Sequence, residues 1–190
     1  LNHRGPDGQG TWTGGPDDRL GLAHSRLSII DLAGGHQPMG NEDGAIQVVF
    51  NGEIFNHLEL RAELQAQGHT FRTHSDTEVI VHQVYEHLVN QKDDLLTAVQ
   101  KTVKELHGAY AIGVISKTDP NRLVAARRGS PLILGIGDGE YLVASDASAV
   151  IAHTRQVVYL QENEMAILTR EGFSTKTIEN VDTRSVVEEI

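Results

Sequence analysis

The chain has 190 residues, of which 39% are hydrophobic and 22% are charged, as in ordinary globular proteins. Its formal net charge of −10 disfavours nucleic acid and anionic membranes as partners, because both reward a basic face. The absence of cysteine excludes disulfides and a cysteine nucleophile within these residues, and it favours a cytoplasmic setting. No apolar run reaches the length of a membrane span, and the first residues lack a signal-peptide pattern.

The first part of the chain is predicted to hold loops and short strands. Residues 1–19 are rich in Gly, Pro and Asp and are predicted as loop, and Gly21–Ile30 is predicted to contain a strand. A second Gly-rich loop at 33–45 precedes a β-branched strand at Ile46–Phe50. Asn51-Gly52 has the composition of a tight turn.

Three helices are predicted next, each after a residue that favours an N-cap. They run from Asn56 to Gly68, from Ser75 or Asp76 onward with one apolar face, and from Asp93-Asp94 to Gly108. Six short strands follow: Ala109–Ser116, Arg122–Arg127, Leu132–Ile136, Tyr141–Ala144, Val157–Leu160 and Glu164–Thr169. Strands, then helices, then many short strands predict an α+β fold with antiparallel sheets.

Two remaining patterns predict no separate site. The glycines of Gly135–Gly139 lie between two short strands and indicate a hairpin turn rather than a nucleotide loop. Of the ten histidines, the pairs His69/His74 and His82/His87 are five residues apart, a spacing that does not align two ligands on one helical face. No metal site is predicted.

Three separated positions together suit the binding of a free amino acid. Arg26 offers a planar cation for an α-carboxylate, and Asp76 offers an anion for an α-ammonium group. The Asn51 side chain and the N–H of Gly52 are two donors for the oxyanion formed when a carboxamide is hydrolysed. Taken singly, these residues could be a surface arginine, a helix cap and a hairpin turn.

Motifs around these positions resemble class II glutamine amidotransferases. HRGPDGQG, LAHSRLSIIDLAGGHQPM, VVFNGEIFNHLELRAEL and HSDTEVI, within residues 3–86, resemble asparagine synthetases. ELHGAYAIGVI, RRGSPLILGIGDGEYLVASDASAVIAHT and VVYLQENEMAIL, within residues 94–190, resemble glucosamine-6-phosphate synthase, also called glutamine–fructose-6-phosphate aminotransferase.

The resemblance implies an N-terminal-nucleophile hydrolase fold, an αββα four-layer sandwich with two antiparallel sheets. It implies that Asn51 and Gly52 are the catalytic oxyanion hole and that no cofactor is needed. Substrate binding falls to Arg26, to pocket-lining residues that follow it, to Glu53 beside the substrate and to Asp76 on the α-amine. The pocket-lining residues are Leu27, Ile29 and Ile30.

Enzymes of this kind use a cysteine as their first residue, and this chain begins with Leu1. We expect a truncated glutamine amidotransferase domain at 1–172, lacking its first strand and inactive alone, followed by a linker at 173–190 towards a synthase domain of the same polypeptide. The ammonia would serve glucosamine-6-phosphate synthesis from fructose-6-phosphate, with asparagine synthesis as an alternative. A pseudoenzyme that binds L-glutamine without cleaving it is another alternative, and a homo-oligomer is left open.

Overall fold

The computed structural model describes residues 5, 8–26 and 34–190. Its strands are β1 (Gly8–Gly14), β2 (Leu20–Arg26), β3 (Met39–Gly40), β4 (Ile46–Ile54), β5 (Gly108–Ser116), β6 (Asp119–Arg128), β7 (Ile133–Ile136), β8 (Tyr141–Ala144), β9 (Gln156–Tyr159), β10 (Glu164–Leu168), β11 (Phe173–Thr177) and β12 (Glu188–Glu189). Its helices are α1 (His57–Ala66), α2 (Asp76–Tyr85) and α3 (Leu95–Glu105), and a π-helical turn at Glu86–Asn90 extends α2. Short 3-10 turns lie at Pro16–Asp18 and Ala147–Ala149.

A six-stranded antiparallel sheet forms the centre of the molecule, in the order β11-β10-β6-β5-β4-β3. The three helices cover one of its faces through a continuous apolar core. Helix α2 is the most enclosed of them, because every residue from Asp76 to Val84 is buried. The predicted apolar face of this helix is part of that core, with Ile80 and Val84 fully buried.

A second antiparallel sheet, in the order β12-β9-β7-β8, packs on the other face of the first. Small residues of β5, β6 and β10 meet larger ones of β7 and β9, as with Ala111, Ala125, Leu134 and Val158. Val150 and the 3-10 turn at Ala147–Ala149 pack on the outer face of this sheet. The predicted α+β class with antiparallel sheets is confirmed.

Strands β1 and β2 form a separate two-stranded antiparallel ribbon, from Gly8 opposite Arg26 to Gly14 opposite Leu20. The prediction of loop throughout residues 1–19 is therefore wrong for β1. Its glycines have low strand propensity, and the strand forms because every residue has a partner in β2. The strand predicted within Gly21–Ile30 is confirmed up to Arg26, and residues 27–30 lie outside the described part.

The Asn51-Gly52 dipeptide is part of a strand and makes no hairpin turn. Strand β4 continues to Ile54, and Asn51 and Gly52 lie opposite Ala111 and Tyr110 of β5. The turn prediction was wrong because local composition does not reveal a strand partner 60 residues away in the sequence, as Asn51 and Ala111 are. Strand β6 begins at Asp119, three residues before the predicted start at Arg122.

The ends of the elements follow the predicted caps with two exceptions. Ser75 and Asp94 cap α2 and α3 through their side chains. Asn56 precedes α1 without capping it, and its side chain binds the 105–107 segment instead. The third helix ends at Glu105, earlier than the predicted Gly108, which begins β5.

The acidic tail, predicted as a linker, adds a strand to each large sheet. Strand β11 pairs with β10, and β12 pairs with β9. Within the described residues, no helix is long and apolar enough to cross a membrane.

Candidate functional site

Arg26 ends β2 and is buried, with 8% of its surface exposed. Its Nη1 donates a hydrogen bond to the carbonyl oxygen of Gly34. The next residue, Gly35, has φ +66°, and a Cβ atom placed there would lie 2.9 Å from Arg26 Nη2 and 3.0 Å from Ser75 Cβ. A side chain at position 35 would have to displace one of these neighbours, so glycine lets the guanidinium approach the N-terminal turn of α2.

Asp76 is the first residue of α2, but the cap of this helix is Ser75. The Ser75 hydroxyl accepts the N–H of Thr77 at 3.2 Å. The Asp76 carboxylate is 6% exposed, and its Oδ2 accepts the N–H of Ile54 at 3.0 Å. The hypothesis that Asp76 is only a helix cap is therefore wrong, because its side chain joins α2 to the end of β4.

Among the described residues, no strand pairs with one edge of β4 over most of its length. Strand β3 pairs only with the first part of β4, whereas β5 runs along the whole opposite edge. Beyond the end of β3, side chains accept hydrogen bonds from N–H groups on this edge of β4. Gln37 Oε1 accepts the N–H of Phe50 at 2.6 Å, and Asp76 accepts the N–H of Ile54.

Gly52 lies halfway between Phe50 and Ile54 on this strand. Backbone groups point alternately to the two edges of a strand, so the N–H of Gly52 faces the same open edge. Among the described residues, no side chain takes that N–H. Asn51 and Glu53 on either side are exposed. The geometry therefore leaves one backbone donor for a ligand between two that are already bonded.

The loop that leads to Asp76 is held from both sides. From α1, Arg61 donates to the carbonyl oxygens of Thr73 at 2.8 Å and Ser75 at 3.1 Å. From α2, the Glu78 carboxylate accepts the N–H groups of Arg72 and Thr73, each at 2.7 Å. This bracing fixes the start of α2, because charge-assisted bonds are stronger than neutral ones.

Four buried or partly buried titratable groups of the domain have shifted pKa values. Burial lowers the pKa of His24 and of His82 below the usual 6.5, and for His82 it outweighs the nearby Glu78 carboxylate at 3.5 Å. Burial acts to raise the pKa of Glu78, but hydrogen bonds from Thr73 and Arg72 outweigh it and leave that pKa lowered. For His87, burial acts to lower the pKa, but hydrogen bonds with Glu105 and Gln91 and the charge of Glu105 together outweigh it and leave the pKa raised.

We expect the free energy of unfolding to fall as the pH decreases below 6.5. The unfolded chain then takes up protons at His24 and His82 that the folded chain resists, and below 4.5 Glu78 adds a second loss. His87 acts in the opposite sense, because its stabilising contribution is complete below 6.5 and is lost as the pH rises through its raised folded-state pKa.

Urea unfolding from about pH 7.5 to about pH 5 measures this dependence. The His82→Gln variant should show a smaller decrease than the wild type, whatever its absolute stability. An unchanged slope would contradict the part assigned to His82.

Of the predicted site residues, the structure brings together Arg26, Asp76 and the strand that carries Asn51, Gly52 and Glu53. The predicted pocket residues Leu27, Ile29 and Ile30 lie outside the described residues. Sequence reasoning missed the supporting residues of the site. These are Gly35, Gln37, Arg61 and Glu78.

A cavity of about 110 Å³ lies elsewhere in the molecule, lined by Trp12, Gly15, Ile115, Ser116, Lys117 and Pro120. Ile115 pairs with Gln47, whereas Ala109 pairs with Glu53. The cavity is therefore at the opposite end of the β4–β5 pair from Asn51 and Gly52, and it is not part of the candidate site.

Comparison with known proteins shows a match to the family described as "Glutamine amidotransferase domain" over residues 1–186. Similar curated proteins include two named glutamine–fructose-6-phosphate aminotransferase (isomerizing). The one from Aquifex aeolicus is 44% identical over 174 residues, and the one from Xanthomonas campestris is 45% identical over 156 residues. The alignments cover 90% and 80% of this chain but 28% and 25% of those proteins, so the chain spans about a quarter of their length.

Two solved structures are similar over most of the chain. Glutamine phosphoribosylpyrophosphate amidotransferase from B. subtilis, complexed with ADP and GMP, has a TM-score of 0.68 at 24% identity, covering 86% of this chain and 36% of that one. A structure of the allosteric regulatory enzyme of purine biosynthesis has a TM-score of 0.66 at 26% identity, covering 83% and 35%.

The likeness to the aminotransferases is not confined to the second half of the chain. The Aquifex alignment covers 90% of the residues, so it extends into the part whose motifs resemble asparagine synthetases. The family match covers both halves together, and the solved structures share the fold over most of the chain. The chain therefore belongs to the class II glutamine amidotransferase domains, with the N-terminal-nucleophile hydrolase fold.

Proposed function

We propose that this chain binds L-glutamine at the meeting point of β2, β4 and the N-terminus of α2. The observation that carries the proposal is the contact between Arg26, Gly35 and Ser75, next to an Asp76 carboxylate tied to β4. An amino acid with its carboxylate on Arg26 and its ammonium group on Asp76 would match both charges. Its side chain would then extend towards the open edge of β4.

The exposed donors on β4 suit the side-chain amide of glutamine. The Asn51 amide and the N–H of Gly52 would bind the carbonyl oxygen, and they would stabilise the negative charge that develops there during hydrolysis. Glu53 would lie beside the substrate. Leu27, Ile29 and Ile30, which follow Arg26 directly, would line the pocket.

Hydrolysis to glutamate and ammonia requires a nucleophile, which in the resembling enzymes is a cysteine thiol. None of the 190 residues is a cysteine. We therefore propose that the 190-residue chain by itself binds glutamine without releasing glutamate. The non-catalytic glutamine-binding module is the second candidate function.

We further propose that the ammonia serves glucosamine-6-phosphate synthesis in a synthase domain of the same polypeptide. Two observations support this: the similar proteins are named glutamine–fructose-6-phosphate aminotransferases, and the chain spans about a quarter of their length. Asparagine synthesis, suggested by the motifs of residues 3–86, is the alternative acceptor reaction. A cytoplasmic location and a homo-oligomeric state stay predictions.

Calorimetric titration of the chain with L-glutamine tests the binding site, and Asp76→Asn is the informative variant. Asparagine keeps an acceptor for the N–H of Ile54 but loses the charge that faces an ammonium group. A hydrogen bond to a charged group contributes about 1.5–3 kcal/mol, so Kd should rise about 10- to 150-fold.

The matched control is Asp138→Asn, which removes the same charge from an exposed hairpin position. This control should bind as the wild type does. Equal affinities of the Asp76 and Asp138 variants would refute the assignment of the ammonium site, and a wild type that fails to bind glutamine would refute the proposed function.

A further inference from the structure

Gln37 connects the two elements that carry the candidate site. Its side chain is buried, with 9% of the residue exposed, and both ends of its amide are bonded. Oε1 accepts the N–H of Phe50 at 2.6 Å, directly before Asn51. Nε2 donates to Thr77 Oγ1 at 3.2 Å, directly after Asp76.

The Thr77 end of this link is itself fixed to the cap of α2. Thr77 Oγ1 also receives a hydrogen bond from the Ser75 hydroxyl at 3.1 Å, and the N–H of Thr77 returns one to Ser75. Gln37 is thus bonded to the same helical turn from which the Asp76 carboxylate reaches Ile54. Buried and fully bonded, its amide holds one geometry, because breaking either bond would leave a polar group without water.

Two ties therefore join the open edge of β4 to α2, one at Phe50 and one at Ile54. They are four residues apart, about 13 Å along a strand, and Gly52 lies midway between them. Strand β5 holds the opposite edge of β4, and a single tie would fix the separation between β4 and the N-terminal turn of α2 at one point only. Two ties also set the direction in which the N–H of Gly52 points relative to Asp76.

We propose that Gln37 is a positioning residue for glutamine. Its amide holds Asn51 and Gly52 at the distance from Asp76 that matches the separation between the ammonium group and the side-chain amide of the substrate. This inference rests on the proposed function. In this arrangement, Asp76 accepts hydrogen bonds from both the N–H of Ile54 and the ammonium group of the substrate. Gln37 holds the strand from a position that the substrate does not contact.

Glutamine titration of Gln37→Met tests the inference, since methionine has a similar length and neither donor nor acceptor of comparable strength. We expect Kd for L-glutamine to rise about tenfold. Thr77→Val removes the hydroxyl at the other end of the link and should raise Kd in the same direction. If both act through one bond, the double variant should bind about as weakly as Gln37→Met alone.

Thr102→Val is the matched control. Thr102 is fully buried, and its hydroxyl bonds only within α3, to the carbonyl oxygen of Ala98 at 2.9 Å. A purely structural loss lowers the free energy of unfolding without changing the Kd of the folded protein, so this variant should lose stability and keep its affinity. If Gln37→Met does not fold, Thr77→Val decides the question against the same control.

The outcomes separate this inference from the proposed function. Wild-type affinity in folded Gln37→Met, or in Thr77→Val where the first does not fold, overturns the positioning role and leaves the glutamine site standing. Additive losses in the double variant overturn the shared link. A wild-type chain that does not bind glutamine overturns both.

Discussion

Replacing Arg26 with alanine should reduce the affinity for L-glutamine at least about 30-fold. Truncating one partner of a buried, hydrogen-bonded charge pair costs about 2–5 kcal/mol, which corresponds to a rise in Kd of about 30- to 5000-fold. Arg26 would form such a pair with the α-carboxylate of glutamine, because it is 8% exposed and its guanidinium lies where the Gly34-Gly35 loop meets Ser75. Calorimetric titration measures the change.

Three further variants separate charge, shape and folding in this result. Arg26→Lys keeps the charge but loses the planar fork, so its Kd should lie between those of the wild type and Arg26→Ala. Arg26→Gln keeps a planar donor without the charge. Arg155→Ala removes an exposed arginine and should bind normally. Wild-type affinity in folded Arg26→Ala would rule out this residue as the carboxylate site.

Replacing Gly52 with alanine should lower the free energy of unfolding by about 2–6 kcal/mol. Gly52 has φ +150°, a region that costs a non-glycine residue about 1–3 kcal/mol. In addition, the new Cβ would lie 2.0 Å from the carbonyl oxygen of Ala109 and 2.8 Å from Tyr110 Cα. Relief of this overlap requires β4 and β5 to separate, which adds about another 1–3 kcal/mol.

The Gly139→Ala variant separates the cost of the backbone conformation from the cost of the overlap with β5. Gly139 has φ +71°, and a Cβ at that position meets nothing within 4 Å. Its replacement should cost only the backbone term, about 1–2 kcal/mol. Urea unfolding of both variants measures the difference, and equal losses would show that contact with β5 does not constrain position 52. A folded Gly52→Ala should also bind glutamine more weakly, because its N–H would no longer point at the same place.

Local signals predicted the elements better than they predicted the site. Ser75 and Asp94 mark helix starts through bonds made within one turn, and such bonds depend on residues that are near in sequence. The strand in Gly8–Gly14 was missed because its partner, and nothing in its own composition, makes it a strand. For the same reason, the composition of Asn51-Gly52 predicted a turn, although the dipeptide pairs with β5.

The site residues likewise divide into those that the sequence indicates and those whose role only the folded structure reveals. Arg26 and Asp76 are charged groups in motifs that suit an amino acid, so chemistry and resemblance pointed to them. Gln37 is an ordinary polar residue in a Gly-rich loop, and its value lies in two bonds to residues 13 and 40 positions away. Such a bridge depends on the folded path of three segments, and no spacing in the sequence indicates it.

An exposed strand edge is ordinarily a hazard, because a row of unpaired amides is a template on which another chain can add itself. The open edge of β4 avoids this hazard because its unpaired part is very short. With Phe50 and Ile54 already satisfied by side chains, the gap around Gly52 is a single amide wide. Another strand would need a series of hydrogen bonds to alternate residues of β4, whereas a single carbonyl group needs only one N–H donor. Within the described part of the chain, the same arrangement therefore leaves no row of amides for another strand and leaves one amide on which the proposed glutamine site depends.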